Sequence, residues 1–128
     1  THPSEQTLTD LLAKGSMYMS KNQLTSAHNV FSKAIELDPK WAEAWNKRAT
    51  VLYFMGNYQL SQNDIDMVLN LEKRHFGALA GQGLVQSALN NYQKAIESYI
   101  EIEKIYPSMQ TPKLMIPKLK DLIKKDSI

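Results

Sequence analysis

The sequence predicts an all-α fold: three consecutive helix-turn-helix units, closed by a further C-terminal helix. Three observations predict it. Apolar residues recur every three to four positions along most of the chain, which is the period of a buried helix face. Positions 34 residues apart repeat one another in size and kind. The breaks between periodic stretches hold Asn, Gly or Pro, the residues that end helices and tolerate turn geometry. No stretch alternates apolar and polar residues as a half-buried strand would.

Residues 1–7 form a polar lead-in. Ser4 can cap a helix whose first turn carries Glu5, favourable to the helix dipole. Leu8, Leu11, Leu12, Gly15, Tyr18 and Met19 then make a helical stripe that stops at Lys21-Asn22-Gln23. A second helix from about Leu24 carries Ala27, Val30, Phe31, Ala34, Ile35 and Leu37 on one face. Asp38-Pro39 ends it, because the residue before a proline is pushed out of the α region, and Pro39 suits the first turn of the next helix.

The third helix is expected from about Lys40 to Met55, with Trp45, Ala49 and Leu52 inward and a left-handed turn at Gly56-Asn57. The fourth runs from Tyr58 to Leu71 with Leu60, Ser61, Ile65, Val68 and Leu69. The fifth starts at His75 or Phe76 and reaches about Leu89. Its Gly77, Gly81 and Gly83 would each cost about 1 kcal/mol against alanine unless close backbone approach requires them. Asn90-Asn91 makes the next turn. Tyr92 to Tyr106 is the sixth helix, with Ala95, Ile96, Tyr99, Ile102 and Ile105 inward and Pro107 beyond it. In the tail, Pro112 and Pro117 delay the last helix, so that it spans about Pro117 to Lys125. Leu114, Ile116, Leu119, Leu122 and Ile123 are expected to cover the sixth helix, with the lysines in water; the rival reading is a basic amphipathic segment that seeks a membrane or an acidic partner.

The 34-residue columns are consistent in detail. Gly15, Ala49 and Gly83 are all small, as helices crossing at short range require. Asn22, Gly56 and Asn90 occupy the turn. Ala27, Ser61 and Ala95 are small again; Phe31, Ile65 and Tyr99 are bulky; Pro39, Lys73 and Pro107 end the units.

Composition narrows the function classes. The chain has 128 residues, 43% hydrophobic and 22% charged, an ordinary balance for a folded domain rather than a disordered one. Its longest apolar run is far short of the roughly 18–20 residues that cross a bilayer. A net charge of +2, with lysines and acids interspersed until the last dozen residues, argues against a nucleic-acid footprint. With no cysteine, disulfides, thiolate catalysis and Cys-ligated zinc are excluded.

At these columns the sequence resembles the tetratricopeptide repeat (TPR) family, whose 34-residue helix-turn-helix pattern places small, aromatic and proline residues in this order. The resemblance implies an α-α superhelix, or TPR solenoid, as a single domain over residues 1–128, with repeats at about 8–41, 42–75 and 76–109 and a cap over 110–128. Departures include Arg48 where the pattern prefers Leu, Leu52 and Gln86 where it prefers Tyr, and Lys73 in place of Pro. The run WAEAWNKRATVLYFMGNY and the later RHFGALAG are similar to TPR proteins of alphaproteobacterial type, many of them secreted or envelope-associated, which favours a periplasmic or envelope setting over the cytoplasm.

Catalytic chemistry finds little purchase. His2, His28 and His75 are far apart and none has a metal-ligand partner at helical spacing. Asp64 and Asp66 flank Ile65 and so point to different sides of one helix. The glycines near position 80 follow no strand, which removes a nucleotide-loop reading. No cofactor, metal site or enzymatic activity is expected.

Binding is the better expectation. In stacked helical hairpins the first helix of each unit lines a concave surface, and residues there that do not pack on their own hairpin can meet a ligand. Such residues are Leu12, Ser16 and Met19 in the first unit, Asn46, Lys47, Thr50, Tyr53 and Phe54 in the second, and Leu84 in the third. The surface is mixed rather than charged, which suits a partly apolar peptide or helix of a protein partner. TPR domains that hold chaperone C-termini use a clamp of Lys and Asn, Asn, then Lys and Arg. The matching positions here are Leu12, Ser16, Lys47, Gly77 and Gly81, so that clamp is absent. The alternative is a structural or self-associating protein, a homodimer joined through the end of the stack or the lysine-rich tail.

Overall fold

A computed structural model of the chain describes residues 4–126. The described residues form seven α-helices: α1 (Glu5–Ser20), α2 (Leu24–Leu37), α3 (Ala42–Phe54), α4 (Tyr58–Leu71), α5 (Phe76–Ala88), α6 (Tyr92–Ile105) and α7 (Thr111–Asp126). No strand occurs among the described residues. The helices fall into two compact units, residues 1–73 and 74–128, each with its own packed interior.

In the first unit the Ser4 hydroxyl accepts from the Thr7 backbone N–H at 3.1 Å, capping α1 as its position suggests. The α1–α2 turn places Asn22 at φ 57°, and the α3–α4 turn places Gly56 at φ 81°. Both lie in the left-handed region that these two residue types tolerate best. The α2–α3 connection differs from expectation. Pro39 does not enter the next helix: the Asp38 carboxylate accepts from the Lys40 N–H at 3.2 Å and the Asp38 carbonyl from the Trp41 N–H at 3.2 Å, so Pro39 sits in a turn and α3 starts only at Ala42.

The interior of this unit holds Ala27, Phe31 and Val51 in one cluster and Ala34, Ile35 and Ala44 in another. Gly15 is buried because the Phe31 ring lies where its Cβ would be. That contact brings α1 and α2 together at backbone range, the physical meaning of the small column read from the sequence.

The second unit repeats the device. A Cβ on Gly83 would come within 2.5 Å of the Tyr99 ring, so α5 and α6 approach only because the position is glycine. Asn90, at φ 63°, makes the intervening turn. His75 begins α5 by accepting from the Ala78 N–H through Nδ1 at 3.0 Å. The Phe76 ring meets Tyr106 edge to face at 5.5 Å, and the Tyr106 hydroxyl donates to the Arg74 carbonyl at 3.2 Å, which fastens the start of the unit to the end of α6.

The last helix corrects the sequence reading. It begins at Thr111, with Pro112 in its first turn and Pro117 inside it. Pro112 needs no N–H partner there, which explains the early start. Pro117 removes one helical hydrogen bond, an interior defect of about 3 kcal/mol in an isolated helix, which packing against α6 offsets. The packed face also differs from expectation. Pro112 and Leu119 are buried and Met115, Ile116 and Ile123 half-buried, whereas Leu114 is 63% exposed and Leu122 lies on the outside. Beginning six residues earlier as one continuous helix sets the 112–116–119–123 stripe, not 114 and 122, against α6.

Candidate functional site

The face of interest in the first unit is carried by α1 and α3, which pack against each other. On α1, Leu12, Ser16 and Met19 follow one another at helical spacing. On α3, Asn46, Lys47, Thr50, Tyr53 and Phe54 do the same. These eight residues therefore belong to one compact unit. Leu84 lies on α5 in the second unit, where it is 45% exposed.

The eight do not contribute alike. Leu12 packs against both interior clusters and Met19 against the Ala27–Phe31–Val51 cluster, so much of each side chain is spent on the core. Thr50 donates its hydroxyl to the Asn46 carbonyl one turn back at 3.1 Å, which satisfies it within α3. Ser16, Asn46 and Lys47 are half-buried. The aromatic pair is different. Tyr53 is half-buried, tilted against Tyr58 at 5.6 Å and edge to face with Phe54 at 5.7 Å. Phe54 itself is 62% exposed, with Met55 beside it also on the surface. An apolar ring is thus held out to solvent on a fixed aromatic support, at little further cost in side-chain entropy if it is covered.

Behind this face, on the opposite side of α3, the structure assembles a polar network that sequence reasoning missed. Arg48 donates to Asp64 through Nε at 2.8 Å and Nη2 at 2.9 Å, and to the Ser32 hydroxyl through Nη1 at 3.1 Å. Its guanidinium also lies 5.2 Å from the centre of the Trp45 ring. Asp64 is buried, so Arg48 is the charge that balances it. The signal available beforehand was the departure itself: an arginine where the repeat pattern expects leucine needs an acid, and one stands sixteen residues on. The next unit puts Gln82 and Ser98 in the same two columns, joined at 2.6 Å. Ser61, in the small column, donates to the Ala49 carbonyl at 2.6 Å and so ties α4 to α3.

Among the described residues no group of three or more His, Cys, Asp or Glu side chains is placed to hold a metal ion, and no helix is long and apolar enough to cross a membrane. His28 is half-buried on α2, as its neighbours imply; His2 lies outside the described residues.

Comparison with known proteins agrees with this architecture. A TPR-repeat model matches residues 15–56 and a tetratricopeptide-repeat model residues 77–109. A TPR repeat-containing protein of Rhizobium etli is 43% identical over 86 residues, 67% of this chain and 42% of that protein. The small glutamine-rich tetratricopeptide repeat-containing protein 2 of Mycosarcoma maydis is 24% identical over 98% of this chain and 36% of its own. The chain thus spans less than half the length of the curated relatives it matches. Among solved structures, the first TPR of Spaghetti (RPAP3) bound to the HSP90 peptide SRMEEVD superposes with a TM-score of 0.90 at 18% identity, over 96% of this chain and 98% of that one. MamA superposes with a TM-score of 0.84 at 23% identity, over 89% of this chain and 67% of its own. On its 34-residue columns, its helical hairpins and these matches, the chain belongs to the tetratricopeptide repeat family.

Proposed function

We propose that this chain is a non-enzymatic protein-interaction module whose α1–α3 face takes a partly apolar peptide or helix from a protein partner; Leu84, exposed on α5 of the second unit, is proposed separately as an apolar contact of that unit. The observation that carries the reading is Phe54, 62% exposed yet braced through Tyr53. Exposed, rigidly supported aromatic rings are the residues that dominate binding energy when a partner covers them. Asn46 supplies an amide that can pair with a peptide backbone, and Lys47 and Glu43 on the same helix cancel in charge. A structure with the same fold is that of a domain bound to an HSP90 peptide, which adds weight to peptide binding as the mode. The chemistry of the ligand should differ, because Leu12, Ser16, Lys47, Gly77 and Gly81 do not form the cationic clamp that holds an acidic C-terminus.

The test is affinity capture from the source cells with wild-type protein, Phe54→Glu and Phe54→Leu as parallel baits. The ring is exposed, so circular dichroism should be unchanged in both variants. A partner held through this face is recovered with wild type, retained at least in part with Phe54→Leu, and lost with Phe54→Glu. Equal recovery with all three baits overturns the assignment.

A further inference from the structure

The three hairpins permit an internal comparison of their second helices, α2, α4 and α6, position by position. Two outward positions stand out. Where α2 has Ser26 and Lys33, and α6 has Lys94 and Glu101, α4 has Leu60 and Met67. In α2 and α6 the second of these positions joins a surface ion pair one turn along, Lys33 with Glu36 and Glu101 with Lys104, each at 4.0 Å. In α4 the same two positions are Met67 and Asn70, which carry no charge. Leu60 is nonetheless 54% exposed. The middle helix therefore carries apolar residues where its neighbours carry polar or charged ones, with Leu60 exposed and Met67 half-buried. Depletion of charge around exposed large apolar side chains is the compositional mark of an interface core.

The exchange is not diffuse, because Leu60 and Met67 both line a pocket of about 550 Å³ within the first unit. Trp45 and Leu52 of α3, His28 of α2 and Asn63 of α4 line it as well. The Arg48–Asp64 pair also lines it. These two charges neutralise each other through two hydrogen bonds, and Ser32 takes a third donor of Arg48. A buried ion pair is rarely retained for stability alone, since an apolar pair of similar volume serves as well. Here it contributes to the pocket lining a hydrogen-bonded pair whose two charges offset each other. Trp45, Arg48 and Leu52 project from the side of α3 opposite Asn46, Thr50 and Tyr53, so this pocket is separate from the peptide face proposed above.

We propose that the α2–α3–α4 pocket is a second docking site, and that its occupant is a bulky uncharged apolar side chain, of leucine, methionine or phenylalanine type, on a segment of a protein partner. The mutually paired charges in the lining disfavour a charged anchor, which would be desolvated with no unbalanced charge to meet it. The apolar lining residues reward an aliphatic or aromatic one by the area they remove from water. Asn63, exposed among the lining residues, offers an amide to the backbone beside the anchor.

The test uses a phage-displayed library of random 12-residue peptides, selected on the wild-type chain. Enriched peptides are then measured against Leu60→Lys/Met67→Glu, which installs the residues that α6 carries at the equivalent positions, and against Phe54→Glu. Circular dichroism and thermal melting establish that both variants fold. The proposal expects peptides that contain a bulky apolar residue, lose about tenfold or more in affinity on Leu60→Lys/Met67→Glu, and are unaffected by Phe54→Glu. For these, the Trp45 indole N–H resonance should shift on titration. The proposal is overturned if no enriched peptide is sensitive to Leu60→Lys/Met67→Glu, or if their anchors are charged. It is equally overturned if sedimentation shows a wild-type dimer that this variant abolishes, since the occupant is then a second copy of the chain. Loss on Phe54→Glu alone would leave the peptide face standing and remove this one.

Discussion

The hairpins α3/α4 and α5/α6 place different chemistry in the same columns. In α5/α6 the small position is glycine and its bulky partner is a tyrosine whose ring fills the missing Cβ volume. In α3/α4 the small position is Ala49 and the bulky one Ile65, both buried. The neighbouring columns diverge as well: Arg48 with buried Asp64 in one hairpin, Gln82 with buried Ser98 in the other. Backbone geometry is held constant while the volume and charge that satisfy it vary in compensating pairs. Residues in touching columns differ together between these two hairpins, so the pairs should behave as units in mutational cycles.

The largest effect should come from splitting the ionic pair. Arg48→Ala leaves Asp64 buried without a counter-charge, and about 3–5 kcal/mol of stability should be lost in urea unfolding. Converting both residues to those of the neighbouring hairpin, Arg48→Gln with Asp64→Ser, should recover most of it. If the double variant is as unstable as the single one, the two columns are not interchangeable.

Next in size is the steric pair. Gly83→Ala gains helix propensity but drives a methyl group into the Tyr99 ring, for a net loss of about 1–3 kcal/mol. In a Tyr99→Ile background, which copies the Ala49–Ile65 combination, the same substitution should instead stabilise by up to about 1 kcal/mol, the helix propensity difference between glycine and alanine. A change of sign between backgrounds is the diagnostic result; equal penalties would place the strain elsewhere. The smallest effect belongs to the neutral pair. Gln82→Ala removes a hydrogen bond to Ser98 and should cost about 1 kcal/mol, well below the ionic pair on the same denaturation scale.

Much of this architecture was legible before any coordinates. Periodicity located all six repeat helices, with α4 over the same residues, and the turn column anticipated the positive φ at Asn22, Gly56 and Asn90. The last helix starts earlier than expected: the sequence reading takes Pro112 as a barrier and Pro117 as a first-turn residue, whereas Pro112 fits the first turn and Pro117 is carried inside the helix by packing. The proposed contact residues were readable as a helix face, but their individual burdens were not. Leu12 and Met19 are drawn into the core, whereas Phe54 is left outside it. Exposure at a half-buried helix edge depends on what the neighbouring helices present, which no spacing rule contains.

The sequence by itself determined the fold class, the repeat period and the positions of its turns, because these follow from local dihedral preference and from a hydrophobic stripe that must be buried. The pairing of Arg48 with Asp64, the apolar pocket beside Leu60 and Met67, and the braced exposure of Phe54 were decided by tertiary structure. The reason is physical. The ion pair and the pocket need side chains from different helices to meet at a few ångströms, and the exposure of Phe54 depends on what the neighbouring helices leave uncovered, none of which local preference contains.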